Sequence, residues 1–172
     1  MSKKNAALLL IVSAPSGAGK STLCNRLMEQ VPGMTYSVSC TTRSPRGDEK
    51  EGEHYFFLSR EAFVERVQGG DFIEHAEVHG NFYGTLKETV DAALLQGCDV
   101  ILDIDVQGAQ QIREVCLSLP ENDPVRRGFV DVFIAPPSIQ VLEDRLRGRA
   151  QDDPAVIERR VQKAEEEMGH IH

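Results

Sequence analysis

The stretch from Leu8 to Thr22, LLLIVSAPSGAGKST, runs apolar and then turns abruptly into small residues, two glycines, a lysine and two hydroxyls. A continuous apolar run closed by a turn suits a strand covered on both faces in a parallel sheet. Backbone N–H groups in a glycine-rich turn can all point inward, and a helix that starts directly behind it adds its positive end. Strand, turn and helix then form a cradle for a phosphate. In the pattern G-x-x-x-x-G-K-[ST], the lysine reaches the terminal phosphates and the next hydroxyl holds magnesium. Gly19, Lys20 and Ser21 match, while Ala14 stands where the pattern has its first glycine. Ala14, Pro15, Ser16, Gly17, Ala18, Gly19, Lys20, Ser21 and Thr22 are thus the expected nucleotide loop, with ATP or GTP as its default ligand.

Two further apolar runs, Asp99 to Val106 and Val130 to Ala135, have the same character. Between the runs lie helical patterns: Ser21 to Gln30, Leu86 to Gln96, Ala109 to Leu117, and Ser138 to Arg147. Alternating strands and helices predict an α/β fold, a parallel sheet flanked by helices, with ligands at the carboxyl ends of the strands. At 172 residues one domain is expected. The formal charge of -8 argues against a broad basic face for nucleic acid, although a local arginine cluster can still hold a phosphate. Cys24, Cys40, Cys98 and Cys116 lack paired spacing, so reduced thiols in a cytoplasm are expected rather than a zinc site or a disulfide framework. The opening lysines and apolar run read as strand, not as a targeting signal or a membrane anchor.

Two segments break the alternation. Met34 to Leu58 mixes β-rich residues with Pro and Gly, and a short helix ending at Gly69 follows, which together read as an inserted lobe. Ser118 to Phe129 reads as a surface loop. The charged stretch EDRLRGRAQDDPAVIERRVQKAEEE reads as helix, break and helix, with the profile of a mobile flap rather than a core element.

Asp103 and Asp105 stand at the carboxyl end of a strand and share a side, since side chains alternate with period two. They suit orienting magnesium through water, or accepting hydrogen bonds from a ligand amino group; Asp105 alone also suits an N-cap. Arg43 and Arg46, on a Pro-constrained loop, with Tyr55 and Tyr83, offer guanidinium and phenol donors for a second phosphate; on spacing alone the two arginines read as surface charges. His54, His75 and His79 read as structural residues.

SAPSGAGKST, SVSCTTRSPRGDEKEGEHYFF, DFIEHAEVHGNFYGT, ILDIDVQGAQ and IAPPSIQVLEDRLRGR, in this order and spacing, resemble guanylate kinase over essentially the whole chain. The resemblance implies a kinase that transfers the γ-phosphoryl of ATP to GMP, and also to dGMP, with Mg2+, in purine nucleotide metabolism. It implies a single domain over residues 1–172, with a core (6–34 and 88–137), a β-rich GMP-binding lobe (35–87) and a helical lid (138–168). The GMP phosphate site then falls on Arg43, Arg46, Tyr55 and Tyr83, and the guanine site on Ser39, Glu74, Thr85 and Asp105, with Gly84 and Asp103 beside them. Guanine shows donors at N1 and N2 that one carboxylate accepts together, whereas adenine presents no such pair, so Glu74 is the expected selector. Lys20, Arg46, Arg149 and Arg160 are the expected catalytic cations, Arg145 joins the ATP site, and Ser21 and Asp103 are the expected magnesium residues, Asp103 through water.

The family pattern continues beyond EEEMGHIH with another strand and a closing helix, so the chain is expected to lack both and to leave a bare sheet edge. Two alternatives stand beside the kinase: a guanylate-kinase-like binding module without full activity, and a kinase for another nucleoside monophosphate. The complete Gly19-Lys20-Ser21 step weighs against the first, and the Glu74 and Asp105 pair against the second.

Overall fold

The computed structural model describes residues 6–78, 80–148 and 153–169. The first strand, β1 (Leu9–Ser13), leads through the glycine loop into α1 (Lys20–Gln30), and β2 (Met34–Tyr36) follows. With β7 (Asp99–Ile104) and β8 (Phe129–Phe133) these strands form a parallel sheet in the order β2-β7-β1-β8. Side chains on β1 alternate between two cores. Leu9 and Ile11 pack with Val100, Leu102, Val90 and Ile112, whereas Leu10 and Val12 pack with Ile101, Cys24 and Met34. Covering both faces is what makes the sequence of β1 continuously apolar, and each fully buried Leu or Ile contributes about 1.5–3 kcal/mol. Helices α3 (Lys87–Leu95) and α4 (Val106–Ser118) cover the first of these faces and α1 the second. Among the described residues β8 is an edge, with Val130 43% and Val132 38% exposed.

The inserted segment builds a second sheet from β3 (Cys40–Thr41), β4 (Phe56–Phe57), β5 (Phe72–Val78) and β6 (Asn81–Leu86), ordered β4-β3-β6-β5. Helix α2 (Arg60–Gly69) is capped by the Ser59 hydroxyl, which accepts from Ala62 N–H at 3.1 Å, and stops at Gly70 in the left-handed region. It lays Phe63 between Phe72 and Phe82, with ring centres 4.5 and 5.3 Å away, and this stack is the lobe's own small core.

Four segments differ from the sequence reading. Met34 to Tyr36, expected at the start of the inserted lobe, form β2 and pair with β7 in the parallel sheet, so the lobe begins after them. Helix α4 begins at Val106 rather than Ala109, because Asp105 caps it, accepting from Gly108 N–H at 2.8 Å. The expected surface loop from Ser118 to Phe129 contains a short helix, α5 (Pro124–Gly128), with Asp123 as its cap and proline in its first turn, where a missing N–H costs nothing. The charged segment, read as a flap rather than a core element, forms α6 (Ile139–Gly148) and α7 (Pro154–Gly169). Leu142, Leu146, Ile157 and Ala164 are buried against Ala14 and Ala18 of the glycine loop, so the helical pair has its own core.

Candidate active site

The loop after β1 is closed by a turn in which Ala18 N–H donates to Pro15 C=O at 3.1 Å. Gly17 and Gly19 take φ of 93° and 102°, conformations that a side chain disfavours. A Cβ on Gly17 would also lie 3.0 Å from Leu146 Cδ2, so α6 presses directly on the loop. Ala14 puts its methyl into that same cluster and is 6% exposed, which gives the alanine a packing role at the place of the pattern's first glycine. Lys20 opens α1 and points to the end of β7, where its ammonium group pairs with Asp103 at 2.7 Å and donates to the Ile104 carbonyl.

The loop forms one wall of a cavity of about 810 Å3, with Ser21 and Thr22 on the same wall. Across it stand Arg159, Arg160, Lys163 and Glu167 of α7. Arg145 lies against the loop itself, donating from Nη1 to the Ala18 carbonyl at 3.0 Å. Arg149 lies outside the described residues, as does His79.

A smaller cavity of about 160 Å3 adjoins the first, and Val78 and Asp105 line both. Ser39, Tyr55, Glu74, Tyr83 and Asp103 complete its polar lining. Glu74 comes from β5 and is 4% exposed. Thr85, fully buried on the neighbouring β6, donates from Oγ1 to Glu74 Oε1 at 2.6 Å. Burial pushes the Glu74 carboxyl up to about 7, the Thr85 hydrogen bond pulls it back, and the nearby charge of Asp105 raises it further. Gly84, buried next to Thr85 on β6, pairs with His75, and a Cβ there would meet the Phe72 ring at 2.9 Å and the Glu74 carbonyl at 3.0 Å.

Arg43 is 9% exposed and reaches out from just beyond β3. Its Nη1 and Nη2 donate to the two oxygens of Glu49 at 2.9 and 3.0 Å, and its guanidinium carbon lies 5.3 Å from the Tyr55 ring centre. Tyr55 and Tyr83 meet edge to face, with centres 6.1 Å apart, and burial raises the Tyr55 hydroxyl. Glu49 also accepts from the Arg46 backbone N–H at 2.8 Å, and these contacts hold its carboxyl down at about 2. The Arg46 side chain is exposed and lines neither cavity.

Of the residues singled out in the sequence, the structure thus gathers Lys20, Arg160 and the loop at one cavity, with Arg145 against the loop. Ser39, Tyr55, Glu74, Tyr83, Asp103 and Asp105 gather at the other, backed by Thr85 and Gly84, with Arg43 against Tyr55. Arg46 stands apart. Sequence reasoning misses Glu49, Gln111 and the α7 residues Arg159, Lys163 and Glu167. Only for α7 was there a signal, a cationic face at helical spacing.

The sequence model of guanylate kinase matches residues 6–172. Guanylate kinase of Idiomarina loihiensis is 51% identical over 166 residues, covering 95% of this chain and 74% of the relative. That of Cereibacter sphaeroides is 49% identical over 163 residues, with the same shares covered. Among solved structures, guanylate kinase from Anaplasma phagocytophilum superposes with a TM-score of 0.71 at 36% identity, over 96% of this chain and 72% of that one. A chain of the Pnkp1/Rnl/Hen1 RNA repair complex, at 16% identity and a TM-score of 0.56 over 98% of this chain and 47% of its own, shares the fold alone. A family model that matches residues 6–172 and relatives close to half identical over 95% of the chain agree with the paired cavities: the chain belongs to the guanylate kinase family.

Proposed function

We propose that the chain transfers the γ-phosphoryl group of ATP to GMP, giving ADP and GDP. The observation that carries this reading is the pair of adjoining cavities: one is walled by the glycine loop and cations, the other by a buried carboxylate, and they meet at Asp105. Residues 14–22 hold the ATP phosphates through main-chain N–H groups and the positive end of α1. Arg43, Tyr55 and Tyr83 hold the GMP phosphate, and Arg46 joins them from the same loop. Glu74 accepts from guanine N1–H and N2–H, while Ser39, Thr85 and Asp105 complete the base site. Residues 35–87, apart from Thr35 and Tyr36 in the core strand β2, are then the acceptor lobe and 138–168 the lid over a core of 6–34 and 88–137.

A GMP phosphate oxygen attacks the γ-phosphorus in line, the bond from that phosphorus to the bridging oxygen breaks, and ADP leaves with the electron pair. The phosphate is already ionised, so no strong general base is required. Charge spread over the transferred group asks for cations in fixed places, the task of Lys20, Arg160, Arg46 and, outside the described residues, Arg149. The donor set suits magnesium. Ser21 offers a hydroxyl and Asp103 a carboxylate, and among the described residues no cluster of three or more His, Cys, Asp or Glu forms a protein cage. A hard cation that keeps its waters and takes its remaining oxygens from phosphate matches that set. When bound, Mg2+ neutralises charge on the β- and γ-oxygens. A reducing cytoplasm fits the four free thiols.

A coupled assay for ADP, run with ATP and GMP, AMP or UMP as acceptor, tests the reading. GMP is expected to be preferred on the order of 10^3-fold or more in kcat/KM, as for sites that hydrogen-bond a substrate group its competitors lack. Equal rates with all three acceptors would overturn it.

A further inference from the structure

The base-reading carboxylate sits on a strand of the inserted lobe, yet its position is set by a core helix. Gly108, buried in the first turn of α4, faces Glu74 so closely that a Cβ there would fall 2.5 Å from Glu74 Oε2 and 3.2 Å from its Cδ. Glycine is the poorest ordinary helix former, so its presence inside a turn of helix asks for a local reason, and the nearby carboxylate supplies one. One turn further, Gln111 reaches the residue next to Glu74. Its Oε1 accepts from His75 N–H at 3.1 Å and its Nε2 donates to His75 C=O at 2.8 Å. An amide that both accepts from and donates to the main chain of one residue imitates a strand partner. Among the described residues β5 is an edge strand, paired only with β6, so Gln111 closes the open side next to the carboxylate.

We propose that Gly108 and Gln111 are positioning residues for guanine recognition: Gly108 leaves the space that the Glu74 side chain occupies, and Gln111 fixes the strand that carries it. The inference rests on the reading that Glu74 accepts from the guanine base. Neither residue touches a substrate in it; both act through Glu74. Since α4 also carries Asp105 at its cap, one helix sets the separation between the two carboxylates of the base site.

The test compares the full chain with its Gln111→Met and Gly108→Ala variants, using GMP and inosine monophosphate, which lacks the 2-amino donor, as acceptors. In both variants KM for GMP is expected to rise about tenfold, the scale of one or two net hydrogen bonds. The preference for GMP over inosine monophosphate should shrink by a similar factor, with KM for ATP and the melting temperature unchanged. Gln111→Glu, which keeps the acceptor for His75 N–H and loses the donor, should fall between Gln111→Met and the unaltered chain. An unchanged GMP KM and preference in both variants would overturn the positioning role. So would a parallel rise in both KM values with a lower melting temperature, the signature of general loosening. If the unaltered chain itself shows no preference for GMP over inosine monophosphate, base reading by Glu74 fails and this inference with it, a result distinct from variants that leave an existing preference intact.

Discussion

Glu74 is 4% exposed and its carboxyl is pushed up to about 7, chiefly by burial, from an ordinary value of 4.5. Between those two values the folded chain holds a proton that the unfolded chain has released. The free energy of unfolding therefore falls as pH rises across that window. The term amounts to at most about 3 kcal/mol. Glu74→Gln should flatten that part of the stability profile, so the melting temperature of the variant should drop less than that of the unaltered chain between about pH 5 and about pH 8. With Glu74 in its proposed role, substrate binding runs the other way, because only the ionised carboxylate accepts from both guanine donors. KM for GMP is expected to fall as pH rises through about 7 and to lose this dependence in Glu74→Gln. The GMP phosphate also titrates near pH 6, but it does so for both proteins, so the ratio of their profiles isolates the side chain. Parallel profiles would mean that Glu74 does not read the base. Glu74 is legible in the sequence through the motif DFIEHAEVHGNFYGT, whereas its raised carboxyl is not, because burial belongs to the assembled site. Glu49 is illegible for a similar reason: a loop carboxylate six positions from Arg43 has no periodicity to point to its partner.

At the scale of elements, the helix α6 and the glycine loop support one another. Leu142 and Leu146 are fully buried, and Leu146 touches the space that a side chain on Gly17 would need. Leu146→Ala removes that packing and should cost about 2–5 kcal/mol, the usual range for such a cavity. A loop that loses its backing should also hold phosphates less well. The expected outcome is an earlier urea midpoint with KM for ATP raised and KM for GMP unchanged, and a rise in both KM values would mean that the loop is not what α6 supports. Both helices are legible in the sequence but read as a flap rather than a core element, because charge dominates the segment while four apolar residues are enough to make the contact. For helix α4 the sequence offers Asp105 as a cap beside a magnesium or ligand role, and only the structure, in which Asp105 accepts from Gly108 N–H, settles the start at Val106. Helix α5 carried a legible signal in Asp123 followed by Pro124, a cap and a first-turn proline.

At the scale of the molecule, the chain is acidic, with a formal charge of -8, yet one cavity brings Lys20, Arg159, Arg160 and Lys163 together. Cations concentrated where the strands end can hold a polyanion in an acidic chain, even with the Asp105 and Glu167 carboxylates on the same lining. The parallel sheet was legible from three apolar runs, and the ends of β1 and β7 place the loop and Asp103 side by side. What the sequence does not disclose is how the second sheet meets the first, since Glu74 and Gln111 are far apart in the chain and periodicity reports a face, not its partner. Lys20 is where the two levels join, as its ammonium ties α1 to the end of β7 through Asp103. With side-chain exposures of 19% and 21% the pair is only partly buried, so removing the cation should alter stability by about 1 kcal/mol or less. In the proposed reaction its effect on phosphoryl transfer should be far larger, because no other side chain of the loop carries a positive charge. Lys20→Met is therefore expected to lower kcat by about 10^3-fold or more, a loss on the scale of cations that stabilise transferring phosphoryl groups. Equilibrium GMP binding and the melting temperature should stay near those of the unaltered chain. A near-normal rate in that variant would mean that the loop does not hold the donor nucleotide, whereas a collapsed melting temperature would mean that Lys20 serves the fold through Asp103 rather than the reaction.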